Sequence, residues 1–489
     1  MKTYCAISWY SEDVCEDEPC KSTNRKNLQN ISIRVNPIVK LRDLANPKEL
    51  QPRGAISNTC FEGYNDKRRY GFNSIAVGEK HIMQVLNNTV VIYTKEGEQT
   101  STFPASLISE GLSLFPSCHY DPFAKKFLIY DTVYEGDYSE NMTTFTIAQS
   151  KSEDPTMGYN VFKFKVDYDL GIASNMGSWH NGLYIAFTSF IWKPTDPKTD
   201  EGFSSIVSRM CVINRESLTT STAKALRFEH TWTRNNWRLE DVYFNKYSPD
   251  MRMTENTRQR GTFFSFPLTY DPDNLSATSK NDMDAFVIKL CWSSMKGAAR
   301  RLRFKPNNFE FLYLAQSQQK GTDDTFEYGN GEQAELSAPY VSTCGNGAYW
   351  LRVDNTYSGK PYATLMQLTV TNRCVNIIQQ CNTRYGSQDN EGRMFGRPLV
   401  NIFGDVALFY FKSSSDTYVD TMLTYRFDED EQGLLTPEQD IVKSTGTIKD
   451  ASLRKSMSVS LDSDCRSFIV CTEYFTTSGY RTKICRIKL

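Results

Sequence analysis

The 489-residue chain has almost no net charge: 56 Lys and Arg stand against 57 Asp and Glu, a formal charge of −1. That balance removes any global electrostatic case for binding nucleic acid or an anionic membrane. No apolar run reaches the roughly 18 residues of a transmembrane helix, so no membrane-spanning segment is expected. The opening stretch, Met1–Tyr10, has no apolar core of the secretory kind. Either the numbering starts on a processed or trimmed chain, or the protein is not exported by that route. Histidine is scarce, with only His81, His119, His180 and His230. No P-loop, GxGxxG or GxSxG is present, which leaves nucleotide cradles and a nucleophile elbow without support. The thirteen cysteines form no CxxC pair, so neither a zinc ribbon nor a thioredoxin-like site is expected, and no cofactor is assigned.

Aromatic residues are abundant instead: 29 Phe, 27 Tyr and 7 Trp. With β-branched neighbours they favour pleated, half-buried surfaces. They are organised. Val341–Val353, Val400–Phe411 and Met457–Cys471 each read as a strand, a polar turn and an aromatic strand. The turns centre near Asn346, Asp405 and Asp464, a repeat of about 59 residues that signals a repeat architecture. Four earlier units begin near Asn73, Cys118, Met176 and Gly261, the last of them irregular. Short alternating runs between Gly, Asn, Asp and Ser clusters are strand signals, and sustained helical periodicity is nearly absent.

From about residue 70 to 489 the chain therefore resembles β-propeller repeat proteins as an architecture. The turn-then-aromatic units carry that resemblance, as in Trp179–Tyr184, Gly345–Trp350 and Gly404–Phe409. It implies an all-β fold, a seven-bladed propeller over 51–489, with residues 1–50 as a cysteine-containing N-terminal extension. Ring closure would draw on an N-terminal strand, with Ile31–Val35 as the candidate. There is no recurring Trp-Asp or Gly-Gly doublet that would name a family, and fold alone brings no catalytic residues.

The cysteines are scattered, which suits disulfides in an oxidising compartment. Asn30, Asn87, Asn141 and Asn274 lie in glycosylation sequons. Together these features point to an extracellular, cell-surface or organelle-lumen protein. A hairpin centred on Ser478 opposes Cys471 and Cys485, which are then either a cross-strand disulfide or two buried thiols.

Function is expected in the long polar connections Tyr134–Asn141, Lys193–Phe203, Tyr247–Arg260 and Gln316–Leu336, because loops on a rigid scaffold usually carry binding. Trp192, Trp232 and Trp237 flank such connections and are the candidates for a recognition surface. The reading is a non-catalytic propeller that binds glycan or protein ligands or assembles with copies of itself. The rival is an exported glycan-active hydrolase. A sialidase-like member would need an arginine triad, a Tyr/Glu pair and Ser-x-Asp-x-Gly-x-x-Trp turns. Ser460–Ser467 begins such a turn without its Gly or Trp. Glu473 and Tyr474, being adjacent, are expected on opposite faces of a strand. The acidic turns Asp271–Asn274 and Asp428–Glu431 could hold structural calcium through oxygen ligands. Arg301–Lys305 alternates basic and apolar residues, giving a cationic strand face that an anionic partner would suit, or that protects an exposed edge.

Overall fold

A computed structural model describes residues 3–5, 15–16, 56–65, 73–112, 116–135, 142–166, 170–179, 181–192, 203–219, 223–232, 236–240, 242–244, 262–268, 283–305, 316–327, 340–343, 348–357, 360–371, 373–383, 390–447 and 457–489. These residues are overwhelmingly strand. Local chemistry explains the turns. His81–Leu86 and Thr89–Thr94 are joined by two residues, and Asn87 there takes φ 55°. A tight hairpin needs that left-handed backbone, and Asn tolerates it better than most residues.

Each repeat unit of the sequence becomes one antiparallel sheet, laid out strand beside strand. The first comprises Asn73–Val77, His81–Leu86, Thr89–Thr94 and Gln99–Pro104. The second runs Ser117–Asp121, Lys126–Glu135, Met142–Ser150 and Tyr159–Val166. The third runs Leu170–Trp179, Gly182–Trp192, Phe203–Ile213 and Ala225–Trp232. The irregular fourth unit takes Asn236–Glu240 as its first strand, a segment its turn pattern had not revealed, then Thr262–Leu268, Met283–Cys291 and Lys296–Phe304. The fifth holds Tyr340–Thr343, Ala348–Tyr357, Lys360–Val370 and Val375–Asn382, with Val242–Phe244 added in parallel to its first strand. The sixth holds Gly392–Val400, Val406–Ser414, Thr417–Arg426 and Gln439–Val442. A separate ribbon, Gln316–Gln319 with Thr322–Glu327, lies against the sixth through Ser317 and Lys320.

A seventh sheet joins strands from the two ends of the sequence. Met457–Leu461, Phe468–Thr476 and Gly479–Lys488 supply three strands, and Ser57–Glu62 from the other end of the chain supplies the outermost. Closure by an N-terminal strand was expected; the strand that does it is Ser57–Glu62, and Ile31–Val35 lies outside the described residues. Two earlier pieces also join outer edges in parallel: Thr3–Cys5 beside Tyr159–Val166 and Cys15–Glu16 beside Lys296–Phe304.

Apolar cores sit between the sheets. Separate clusters join the first to the second, the second to the third, the third to the fourth and fifth, the fifth to the sixth, the sixth to the seventh, and the seventh back to the first. Sheets stacked face to face around a closed circuit are a β-propeller arrangement. The closing seam also holds a buried polar network. Gln84 Nε2 donates to Asn73 Oδ1 and Thr482 Oγ1, both at 3.2 Å, while Gln84 Oε1 accepts from the Tyr93 hydroxyl and the Tyr64 amide. Every one of these groups would cost free energy if buried unpaired, so the network makes one docking geometry the satisfied one.

The expected Cys471–Cys485 bridge is not formed. Thr476 pairs with Gly479, so the hairpin turns about the Thr477–Ser478 bond and sets Cys471 opposite Ile484. Cys485 instead opposes Cys60 and is disulfide-bonded to it across a sequence separation of 425. Cys471 is a buried thiol in the seam between the seventh and first sheets. A broad disulfide framework is likewise not what the described residues show. One bridge is formed, and Cys118, Cys211, Cys291, Cys374, Cys381, Cys465 and Cys471 are free. Most of these are buried as small apolar residues, a common fate of cysteine.

Candidate functional site

The first strands lie toward the axis of the ring, with Val242–Phe244 as the edge in the fifth sheet, and a sheet edge leaves backbone groups unpaired. Side chains from neighbouring sheets satisfy several of them or pair across the seams. Ser458 Oγ accepts from the Ile75 amide at 3.0 Å. Ser74 Oγ accepts from the Cys118 amide and donates to its carbonyl. Arg397 Nε donates to the Met457 carbonyl. His119 Nε2 and Ser178 Oγ share a hydrogen bond of 2.7 Å. These contacts stitch one sheet to the next. Of the other histidines, His81 lies in the first sheet, His230 is described through its backbone alone, and His180 lies outside the described residues. Among the described residues no group of three or more His, Cys, Asp or Glu side chains is arranged to hold a metal ion. The Asp428–Glu431 turn is tied internally, with Asp430 Oδ2 accepting from the Phe427 amide. Asp271–Asn274 lies outside the described residues.

The two ends of the ring differ. Turns between first and second strands, and between third and fourth, lie at one end by strand alternation. There the first turn of one sheet meets the second turn of the next. Asp121, fully buried, is ion-paired with Arg215, whose guanidinium lies 4.6 Å from the Phe123 ring centroid and donates to the Trp179 and Gly182 carbonyls. Trp292 Nε1 donates to the Asn181 carbonyl at 2.6 Å. Lys95 is ion-paired with the buried Asp462, which also takes Arg486 at 2.9 Å. Burial pushes the Lys95 ammonium below its usual range even against the pull of Asp462. Asp464 is held below the usual carboxylate range: burial opposes this, but the amides of Ser467 and Arg466 and the Ser467 hydroxyl outweigh it. The Ser460–Ser467 segment is therefore a charged turn that locks the seam.

The opposite end carries the connections between second and third strands and those between sheets. Trp192 ends the second strand of the third sheet, Trp232 ends its fourth strand, and Trp237 lies in the first strand of the fourth sheet. Trp192 pairs with Phe203 and Trp232 with Ile206, so their backbones flank the start of one strand. Trp237 pairs with Pro267, next to the last residue of its neighbour. All three predicted tryptophans thus belong to one end of two adjacent sheets. Of the sequon residues, Asn87 occupies its hairpin turn, at the same end, and is half-buried; Asn30, Asn141 and Asn274 lie outside the described residues.

One charged cluster was not anticipated. In the sixth sheet Tyr410 donates to Glu438 Oε1 at 2.6 Å, and Arg393 grips both carboxylate oxygens, with Nη2 at 3.0 Å from Oε2. Arg393 also reaches Glu391 Oε2 at 2.8 Å, and Lys412 lies 3.3 Å from each carboxylate. Tyr410 is fully buried and Arg393 nearly so, whereas Glu391 is partly exposed. Burial disfavours the charge on Glu438, but Arg393, the Tyr410 hydroxyl and Lys412 overcome it and hold the carboxyl below its usual range. The same carboxylates raise the Lys412 ammonium despite its burial. Two cations balance two anions. No sequence signal marked this site, because Tyr410 lies within one strand and Glu438 just before another, with no fixed spacing between them. Glu473 and Tyr474 point apart, as expected. Tyr474 donates to Glu62, and Glu473 accepts from Tyr480, each at 2.8 Å.

No protein-family model and no curated protein matches the chain. Among solved structures it is similar to the sialidase of Trypanosoma rangeli in complex with the inhibitor DANA, at 9% identity over 88% of this chain and 59% of that one, TM-score 0.36. It is similar to the α-L-arabinanase of Penicillium chrysogenum complexed with arabinobiose, at 9% identity over 85% and 93%, TM-score 0.37. It is also similar to the α-L-arabinofuranosidase of Fusarium graminearum, at 8% identity over 89% and 98%, TM-score 0.37. The chain spans about three-fifths of the sialidase's length. At these identities and TM-scores the likeness carries no argument about this chain.

Proposed function

We propose that the chain is a seven-bladed, non-catalytic propeller that binds glycan at the end bearing Trp192, Trp232 and Trp237. The observation that carries this reading is the gathering of those three backbones at the end where Trp192 and Phe203 bound the long polar connection Lys193–Phe203. Indole faces are amphipathic and rigid, so they suit the apolar face of a sugar ring at little entropic cost. The Cys60–Cys485 bridge supports an oxidising, extracellular setting. Where a carboxyl is shifted, as at Asp154, Glu438 and Asp464, it is held ionised, which favours pairing over general-acid chemistry. The test is a glycan array with the purified chain and its W192A, W232A and W237A variants. At least one should lose about tenfold or more in apparent affinity, the scale of a lost aromatic anchor. Unchanged binding in all three overturns the reading.

A second reading, a glycan-active hydrolase, is favoured by one observation: the Tyr410–Glu438 hydrogen bond beside Arg393 supplies a Tyr/Glu pair next to a cation. Its burial and full internal pairing weigh against it. Hydrolysis of an aryl glycoside that disappears in Y410F, with the fold intact, would establish this alternative instead.

A further inference from the structure

The outer edge of the fourth sheet is basic. Its last strand, Lys296–Phe304, carries Lys296, Arg300, Arg301 and Arg303 with no acid, and Lys305 follows. Asp284 on the adjacent strand takes Arg301 Nη2 at 2.9 Å and Arg303 Nε at 3.4 Å. Lys296, Arg303 and Lys305 are exposed nonetheless. A charged edge usually serves to repel other strands. This one is paired: Cys15 lies opposite Arg300 and Glu16 opposite Arg301, in parallel. The sequence around that pair is acidic, with Glu12, Asp13, Glu16, Asp17 and Glu18 and no basic residue between Ser11 and Cys20. The described part of that acidic stretch, Cys15–Glu16, thus pairs with the basic edge at Arg300 and Arg301.

We propose that this edge is a docking site for an acidic extended peptide, and that the chain's own residues 12–18 occupy it. Strand addition gives main-chain hydrogen bonds whatever the sequence, and the basic side chains select an acidic occupant. Exposed ion pairs are individually weak and screened by salt, so the arm is held by many of them and loosens as salt rises. An arm held this way is exchangeable. An acidic strand from a partner competes for the same edge.

The test uses the full chain and amide hydrogen exchange across residues 298–303. Reversing the arm (E12K, D13K, E16K, D17K and E18K together) should speed exchange there by about tenfold or more, the size expected when several charge pairs are lost. Reversing the edge (K296E, R300E, R303E and K305E together) should do the same, and the two sets combined should restore protection. A synthetic peptide of residues 11–19, with cysteine replaced by serine, should bind the arm-reversed chain, bind more weakly as salt rises, and fail to bind the wild type. Unchanged exchange in the arm-reversed chain, or failure of the combined variant to restore protection, overturns the proposal. So does a concentration-dependent dimer lost on arm reversal, since a second copy's arm would then be the occupant. Thermal unfolding of each variant separates release of the arm from loss of fold, and the combined variant keeps the outcome decisive if one set misfolds.

Discussion

The two ends of the ring are built from the same repeat and do opposite things. At the turn end, neighbouring sheets are tied by contacts that differ in chemistry but not in place: Asp121 with Arg215, Trp292 with the Asn181 carbonyl, Lys95 with Asp462. At the connection end stand Trp192, Trp232 and Trp237 and the links that vary most in length. Sheets in a closed ring need to be held in register with their neighbours, and pinning one end achieves that. The other end is then free to carry insertions without cost to the stack.

The comparison breaks most readily at its strongest latch. Removing Arg215 as Arg215→Ala strands the buried Asp121 carboxylate, which should cost about 3–5 kcal/mol. Urea unfolding measures this. Glycan binding by the folded fraction should be unaffected, whereas the tryptophan variants should show the reverse pattern. If Arg215→Ala leaves stability unchanged, the turn end is not a latch.

The next effect comes from the strand that closes the ring. Cys60 is exposed on the outermost strand and Cys485 is buried beside it. Cys60→Ser should lower stability by about 2–4 kcal/mol, the usual range for a lost disulfide. Limited proteolysis should then cut first near Ser57–Glu62. Reduction of the wild type should reproduce the shift, and failure of both changes would mean that hydrogen bonding alone holds the seam.

The charged cluster of the sixth sheet sharpens the contrast through pH. Glu438 has a folded pKa held below its ordinary value of 4.5, so its stabilising contribution is present above that value. It fades as the pH falls through the lower, folded value, because the unfolded chain takes up the proton first. Melting temperature measured from neutral to acid pH should therefore fall less steeply below about pH 4.5 in Glu438→Gln than in wild type. Parallel curves would show that the cluster does not couple folding to protonation.

Much of this fold was legible. Units begun at Asn73, Cys118, Met176, Val341, Val400 and Met457 each became a sheet, because strand alternation and turn residues are local signals. What failed was non-local. The Cys471–Cys485 bridge depended on a hairpin centre misplaced by half a residue, and the true partner, Cys60, lies 425 positions away. Asn236–Glu240 was missed because its sheet partner, Thr262–Leu268, follows a long interruption. The predicted tryptophans sit at one end of two neighbouring sheets, whereas Tyr410, Glu438 and Arg393 come together through strand order that no spacing encodes.

The smallest expected effect tests whether the axis is stitching or site. Ser178→Ala removes the hydroxyl that shares a 2.7 Å hydrogen bond with His119 Nε2, across the seam between second and third sheets. A single neutral hydrogen bond is worth about 1 kcal/mol net, and His119 has further contacts, so the loss should be of that order. Ligand binding should be unchanged, since the pair joins the inner strands and not the connection end. A loss of binding with stability intact would move the site from the tryptophan-bearing end to the axis. The two ends would then differ in architecture alone.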